Sequence, residues 1–291
     1  MLILLSTLFG LIVGSFLNVV ILRGNKGETV RGRSHCPFCG KTLSFRELIP
    51  IASFLMQKGR CRSCGAALSW QYPLVELGTG ISFGLVAWLY QVKLFPAQNL
   101  SWHSPDEFTL LAISHLLFAF IALSAAIVIL VSDMRFQTIP DGAVLVLFIA
   151  GAIVNLGSVL PFLPSFSSPM HVSYAPYLSW KEVLVYNIGG ALFLSFFFFS
   201  LWFFSQGRWM GFGDVKLIFA TSLLLGFPAS IIAFLFSFWS GGIFGILLLA
   251  ANRENLGRLI PFGPFILLGT LLAYLFTDTF LSFTRLSFFF Y

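Results

Sequence analysis

The feature that most constrains this chain is a series of long apolar runs, each near the length needed to cross a bilayer. The runs cover residues 1–22, 74–95, 109–131, 142–163, 183–205, 214–231, 229–250 and 260–282. Only 10% of the residues are charged, whereas a soluble domain carries roughly a quarter. Because the lipid interior offers no partners to backbone polar groups, such runs must fold as helices. The sequence therefore predicts an all-α polytopic membrane protein with about eight transmembrane helices.

The first run has neither a basic leading region nor a small-residue cleavage pattern. We therefore interpret residues 1–22 as a retained transmembrane helix rather than a signal peptide. The polar residues 23–73 form a predicted insert between the first two helices, and residues 74–291 form the predicted membrane bundle.

The distribution of Lys and Arg predicts the orientation. With the N-terminus outside, fourteen of the seventeen basic residues fall on cytoplasmic segments, and only Lys93, Lys181 and Arg285 lie outside. This asymmetry follows the positive-inside rule and predicts a multi-pass protein of the cytoplasmic membrane. The net charge of +6 is then an orientation signal. It does not indicate nucleic-acid binding, because no basic face interleaved with aromatic residues accompanies it.

The predicted insert contains all four cysteines of the chain. They form two C-x-x-C pairs, Cys36 with Cys39 and Cys61 with Cys64, separated by twenty-one residues, and a glycine follows each pair. This spacing is typical of a tetrahedral zinc site in a zinc-ribbon-like fold. The alternatives are a redox pair or reduced thiols without metal. A site with four protein ligands has no position for a reacting water, so we expect a structural role.

Three aspartates lie at the same predicted membrane surface. Asp214 begins the sixth run and Asp141 follows Pro140 at the start of the fourth, where both could cap a helix. Asp133 ends the third run, where the helix dipole disfavours a carboxylate. A tertiary or chemical reason is therefore expected for Asp133. Glu76, about one turn inside the second run, is either functional or a hydrogen-bonded interface residue.

Asp133 and Asp214 together favour an aspartyl protease, in which two carboxylates share one proton and activate water. Signatures of serine and zinc hydrolases are absent from the sequence. One alternative is an ion-coupled transporter, which predicts charges near the membrane midplane, whereas these carboxylates cluster at one surface. Another is a zinc-loop scaffold whose aspartates only cap helices.

Several stretches together resemble the type IV prepilin peptidases of bacteria, in the wider G-x-G-D class of intramembrane aspartyl proteases. The resemblance rests on "GSFLNVVILR", the insert from "SHCPFCG" to "VELGTG", "SDMRFQTIPD", "GFGDVKL" and "PFGPF", in that order. "GFGD" alone is a weak motif, but its combination with the paired cysteines is specific.

The resemblance implies a chain that cleaves the leader from type IV prepilins and pseudopilins and then methylates the new N-terminus, using S-adenosylmethionine. It implies that Asp133 and Asp214 are catalytic, that Gly211 and Gly213 are the motif glycines, and that Lys216 is the lysine after them. From their positions in the sequence, and not from the resemblance, Asp141 and Glu76 are expected to be supporting residues. The lipid bilayer and the pilin precursors are the expected partners, and the active site is expected to face the cytoplasm.

Overall fold

The computed structural model describes residues 1–94, 105–159, 180–251 and 260–284. Within these ranges every regular element is a helix, and only two isolated bridges, in the cysteine insert, resemble β-structure. Residues Phe45–Glu47 form a 3-10 turn, and Val183–Ile188 form a π-helical stretch. The helices are α1 Leu2–Gly24, α2 Ala52–Met56, α3 Gln71–Leu94, α4 Pro105–Phe136, α5 Asp141–Val159, α6 Trp180–Glu182, α7 Gly189–Ser205, α8 Phe212–Leu225, α9 Ala229–Ala251 and α10 Gly263–Thr284.

Five helical segments of the described residues are long and apolar enough to cross a membrane. They are Leu2–Gly24, Gln71–Val92, Ile113–Phe136, Val183–Ser205 and Ala229–Ala251. Asp141–Leu156 and Gly263–Thr277 are apolar but shorter. The chain is thus a helical, multi-pass membrane protein, as the sequence predicts.

The sixth apolar run differs from its predicted extent. The helix stops at Leu225 instead of continuing to residue 231, because Gly226 adopts a positive φ of 71° and Pro228 follows it. Three basic residues used to predict the orientation, Arg253, Arg258 and Arg285, lie outside the described residues.

Residues Met1–Val131 form one compact unit. Helix α1 packs along α3 in this unit. Its core includes Phe83 of α3 and Phe120 of α4, whose rings stack with centroids 4.1 Å apart. The cysteine insert belongs to this unit and connects α1 to α3.

Residues Ser132–Tyr291 form a second compact unit, built around α8. This short helix contacts α5, α7, α9 and α10, and most of its side chains are buried. Helices α9 and α10 meet at the backbone, because a Cβ on Gly269 would overlap Ser237 Oγ and the Ala233 carbonyl. The last turn of α4, which carries Asp133, belongs to the same unit. Packing around α8 therefore determines the surroundings of both Asp214 and Asp133.

Candidate functional site

The carboxylate of Asp133 is buried against the N-terminus of α10. The side chain is 5% exposed, and the backbone N–H of Gly263 donates a hydrogen bond to its Oδ2 at 2.9 Å. Gly263 is the first residue of α10, where backbone N–H groups have no partner within the helix. A Cβ on Gly263 would lie 2.5 Å from Asp133 Oδ2. The glycine therefore allows the carboxylate to approach the helix end.

Asp214 occupies the first turn of α8 and is 7% exposed. Its Oδ2 accepts a hydrogen bond from the backbone N–H of Gly211, the residue that precedes the helix, at 3.2 Å. Asp214 thus caps the helix from its third position, by accepting from the amide of the N-cap residue Gly211. This cap uses only one of the two carboxylate oxygens, and it does not explain why a second buried carboxylate, Asp133, lies nearby.

Asp133 lies close enough to Asp214 for its negative charge to act on it. In the part of the chain that the structure describes, no hydrogen bond reaches Oδ1 of either carboxylate. Each side chain is therefore fixed through Oδ2 by a helix N-terminus, while its second oxygen is available. In general, two neighbouring carboxylates can share a proton and act as base and acid toward a water molecule.

The two motif glycines have different steric roles. A Cβ on Gly213 would lie 3.0 Å from the Cβ of Ile139, in the connection between α4 and α5. A Cβ on Gly211 would instead make an ordinary contact, 3.6 Å from Asp214 Oδ2. Gly213 therefore allows the α4–α5 connection to lie against the first turn of α8.

Lys216 pairs with Asp141 and not with either buried aspartate. Its Nζ forms an ion pair with Asp141 Oδ1 and lies 5.4 Å from the centre of the Phe212 ring. The side chains of Lys216 and Asp141 are 35% and 78% exposed. This pair links the start of α5 to α8 at the surface.

Glu76 is buried in the other unit, where it contacts the insert. Its Oε2 accepts a hydrogen bond from the backbone N–H of Ile51 at 2.7 Å, and the hydroxyl of Ser15 on α1 also bonds to the carboxylate. Ile51 has a φ of 59°, which a β-branched residue rarely adopts. These two bonds attach the Glu76 carboxylate to the insert and to α1.

The four cysteines lie together, as their spacing predicts. Their sulfur atoms are all within 4.8 Å of one another, and Cys36 Sγ lies 3.9 Å from Cys64 Sγ. A tetrahedral zinc site, with Zn–S bonds of about 2.3 Å, places sulfurs about 3.8 Å apart. The four residues therefore fit a metal ion of this kind.

The two cysteine pairs have the same backbone geometry. The N–H of Gly40 donates to the Cys36 carbonyl at 3.0 Å, and that of Gly65 donates to the Cys61 carbonyl at 2.9 Å. Both glycines have a positive φ, near 70°. The amides of Cys64 and Ser63 lower the pKa of the Cys61 thiol to about 6. Each pair thus forms a turn of the zinc-knuckle type.

Gly263 is the residue at this site that the sequence interpretation did not single out. Its bond to Asp133 joins positions 130 residues apart, so no local spacing indicates it. The available signal is the "PFGPF" motif, in which Pro264 follows a glycine at the start of an apolar run. Proline is favoured in the first turn of a helix, so this motif marks a helix start that is open to a partner.

Two family descriptions match the chain in sequence. The bacterial peptidase A24 N-terminal domain matches residues 8–90. The type IV leader peptidase family matches residues 120–246, which include both buried aspartates. No solved structure matches the chain significantly.

Curated relatives match over nearly the whole chain. The prepilin leader peptidase/N-methyltransferase of Bacillus subtilis is 33% identical over 284 residues, covering 95% of each chain. Proteins of the same name from Pseudomonas aeruginosa and Neisseria gonorrhoeae are each 30% identical. The alignment with the Pseudomonas aeruginosa protein covers 95% of this chain and 91% of the relative. The alignment with the Neisseria gonorrhoeae protein covers 89% of this chain and 85% of the relative. The chain belongs to the type IV leader peptidase family.

Proposed function

We propose that this chain is a prepilin leader peptidase and N-methyltransferase. It removes the leader from type IV prepilins or pseudopilins and then methylates the new N-terminus. The observation that carries the peptidase proposal is the pair of buried carboxylates, Asp133 and Asp214, which interact although they come from separate helices. The names of the curated relatives supply the substrate class and the second activity.

In the proposed cleavage step the two carboxylates share one proton. The ionised member takes a proton from a water molecule, whose oxygen attacks the scissile carbonyl. The protonated member then gives its proton to the leaving amine as the peptide bond breaks. Gly263 and Gly211 fix one oxygen of each carboxylate through backbone N–H groups. The fixed geometry lowers the entropic cost of bringing acid, base and water together.

We place this site at the cytoplasmic face of the inner membrane, in a topology of eight spans with the N-terminus outside. The basic residues of the insert support this orientation. A prepilin carries a positive leader in the cytoplasm and an apolar helix in the membrane, so its scissile bond lies at that interface. The transporter alternative has no observation in its favour.

For the insert, we propose a structural Zn²⁺ held by Cys36, Cys39, Cys61 and Cys64. The convergence of the four sulfurs supports this assignment. When bound, the ion would crosslink the two knuckles and stabilise the insert.

S-adenosylmethionine is the proposed methyl donor, on the basis of the relatives' names. Its sulfonium group supplies an electrophilic methyl to the new amino terminus. Because methyl transfer needs no protease dyad, pre-cleaved pilin should still be methylated by variants that lack either carboxylate.

The test is leader release from a purified prepilin by the wild type, Asp133→Asn and Asp214→Asn. Either change should abolish cleavage, because one carboxylate cannot serve as both acid and base. Labelled S-adenosylmethionine with pre-cleaved pilin should still give methylated product in both variants, which also shows that they are folded.

Asp141→Asn is the matched control. It makes the same chemical change at an exposed carboxylate and removes the ion pair with Lys216. We expect cleavage to fall by no more than a few-fold. Full activity in both Asp133→Asn and Asp214→Asn would end the proposal that these two carboxylates form the catalytic dyad. A folded wild-type chain that releases no leader would favour the scaffold alternative.

A further inference from the structure

Part of the insert is attached to the side of a membrane helix. The backbone N–H of Ile51 bonds to Glu76, the sixth residue of α3, and the same carboxylate bonds to Ser15 of α1. Ser15 lies nine residues before the end of α1 at Gly24, or about 13 Å along the helix axis. Both helices are candidate membrane spans. Ile51 therefore lies beside the spanning helices and not beyond their ends.

The chain on either side of Ile51 presents apolar side chains that the described residues leave largely exposed. Phe45 is 83% exposed, and Leu55 and Met56 are 62% and 60% exposed. Phe54, by contrast, is buried and contacts Trp70, with ring centroids 5.0 Å apart. Helix α2 thus has one side against the insert and an apolar side facing outward. Exposed apolar patches of this kind mark contact surfaces.

The positive charge of the insert indicates what kind of surface the exposed apolar side chains contact. Between Arg23 and Tyr72 there are nine Lys and Arg residues against two Glu, a net charge of +7. Arg46 follows Phe45 and Lys58 follows Met56 closely in sequence; both basic side chains are exposed and form no salt bridge within the described residues. Basic side chains can extend their apolar stems along such a surface and place their charges at lipid headgroups.

We propose that residues 45–58, here called the interfacial segment, lie in the surface of the bilayer and bind anionic lipid headgroups. The apolar side chains would enter the boundary between headgroups and acyl chains, as those of membrane-surface helices do. Arg46 and Lys58 would contact phosphate groups, since basic residues close to a membrane attract anionic lipid. A positively charged leader is a poor occupant, because the insert repels it. This surface depends on the chain's position in a membrane and not on its enzymatic activity.

The test uses the full-length chain in lipid nanodiscs. Lipids with a photoactivatable diazirine in the acyl chain are supplied with either phosphatidylglycerol or phosphatidylcholine headgroups, and adducts are located by mass spectrometry. We expect adducts on Leu55 or Met56 in addition to those on the spanning helices, with more from the anionic lipid. Phe38, an exposed aromatic residue on the first cysteine knuckle, should remain unlabelled.

Two charge-matched variants test the role of the basic residues. Lys58→Gln should lower labelling of Leu55 and Met56 by the anionic lipid about fivefold, the effect of one basic charge at a membrane surface. Lys26→Gln removes an exposed charge from the same insert outside the segment and should leave this labelling unchanged.

Adducts confined to the spanning helices would overturn the proposal, and so would equal labelling of Phe38. Equal labelling by both lipids, unchanged by Lys58→Gln, would overturn the anionic preference. None of these outcomes involves prepilin cleavage, so they are independent of the proposed enzymatic function.

Discussion

The environment of Asp133 explains how a carboxylate is kept at the end of a helix. Carbonyl groups at the C-terminus of α4 disfavour its charge, which is why the sequence suggested a tertiary reason. The hydrogen bond from the Gly263 N–H is this tertiary contact, because it brings the positive end of α10 to the carboxylate. Asp214 meets the positive end of its own helix through Gly211. Both aspartates thus use the same kind of support, one across the fold and one locally.

Gly263→Ala should therefore impair cleavage strongly. The added methyl would lie 2.5 Å from Asp133 Oδ2, so the carboxylate must move away from its present position beside the α10 amide. A displacement of this size at a reacting group costs about 100-fold in rate. The measurement is the rate of leader release, with the thermal midpoint as a check on folding.

Gly211→Ala is the comparison for this prediction. Its methyl would make only an ordinary contact, 3.6 Å from Asp214 Oδ2, and the backbone at Gly211 is extended. We expect cleavage within a few-fold of the wild type. Equal rates for the wild type and Gly263→Ala would show that the Asp133–Gly263 contact does not position the carboxylate.

Glu47, in the insert, should titrate below its ordinary range. The backbone N–H and the hydroxyl of Ser44 both donate to its carboxylate at 2.8 Å, and they lower its pKa below its ordinary value of 4.5. Its contribution to stability is then complete above pH 4.5 and is lost as the pH falls through the lower pKa of the folded state. NMR titration of the side-chain carboxyl carbon measures this pKa directly.

Ser44→Ala is the control for the titration. It removes the hydroxyl donor and keeps the backbone N–H, so the pKa of Glu47 should rise part of the way toward its ordinary value. A wild-type carboxyl that titrates at or above 4.5 would contradict the cap seen in the structure.

At the scale of elements, Glu76 attaches the insert to α3. Glu76→Gln keeps an oxygen that can accept the Ile51 N–H, and we expect cleavage, methylation and stability close to wild type. Glu76→Leu leaves that part-buried N–H without its acceptor, which should lower the free energy of unfolding by about 1 kcal/mol. Hydrogen exchange of the amides of Ile51 to Leu55 should then accelerate.

The two substitutions also separate structure from chemistry at Glu76. A Glu76→Gln protein that is folded and cleaves prepilin, but no longer methylates the product, would assign the carboxylate a chemical role in methyl transfer. That result would contradict the positioning role inferred from its bonds to Ile51 and Ser15.

For the whole molecule, the sequence predicts features that depend on local pattern. Each of the eight apolar runs contains a helix, and the four cysteines converge as their spacing indicates. Contacts between distant segments carry no local signal, and the Asp133–Gly263 and Lys216–Asp141 pairs belong to this class. The predicted bound of the sixth run, residue 231, lies beyond the helix end at Leu225, although the sequence places a tight turn at Gly226 to Pro228 between the sixth and seventh runs. The hydrophobicity of a run predicts that it lies in lipid, whereas the residue at which a helix ends depends on individual turn-forming residues.

The two compact units should respond differently to loss of metal. We expect one Zn²⁺ per wild-type chain by elemental analysis and little in Cys36→Ser, because four thiolates hold the ion. Structural zinc supplies a large share of the folding free energy of a small domain. Chelation should therefore speed hydrogen exchange at the amides of Gly40 and Gly65 in the insert, while the amide of Gly263 in the second unit stays protected. If the metal-free wild-type chain exchanged at the same rates as the metal-loaded chain, the proposal of a structural ion would be wrong. Oxidised cysteines would instead favour the redox alternative.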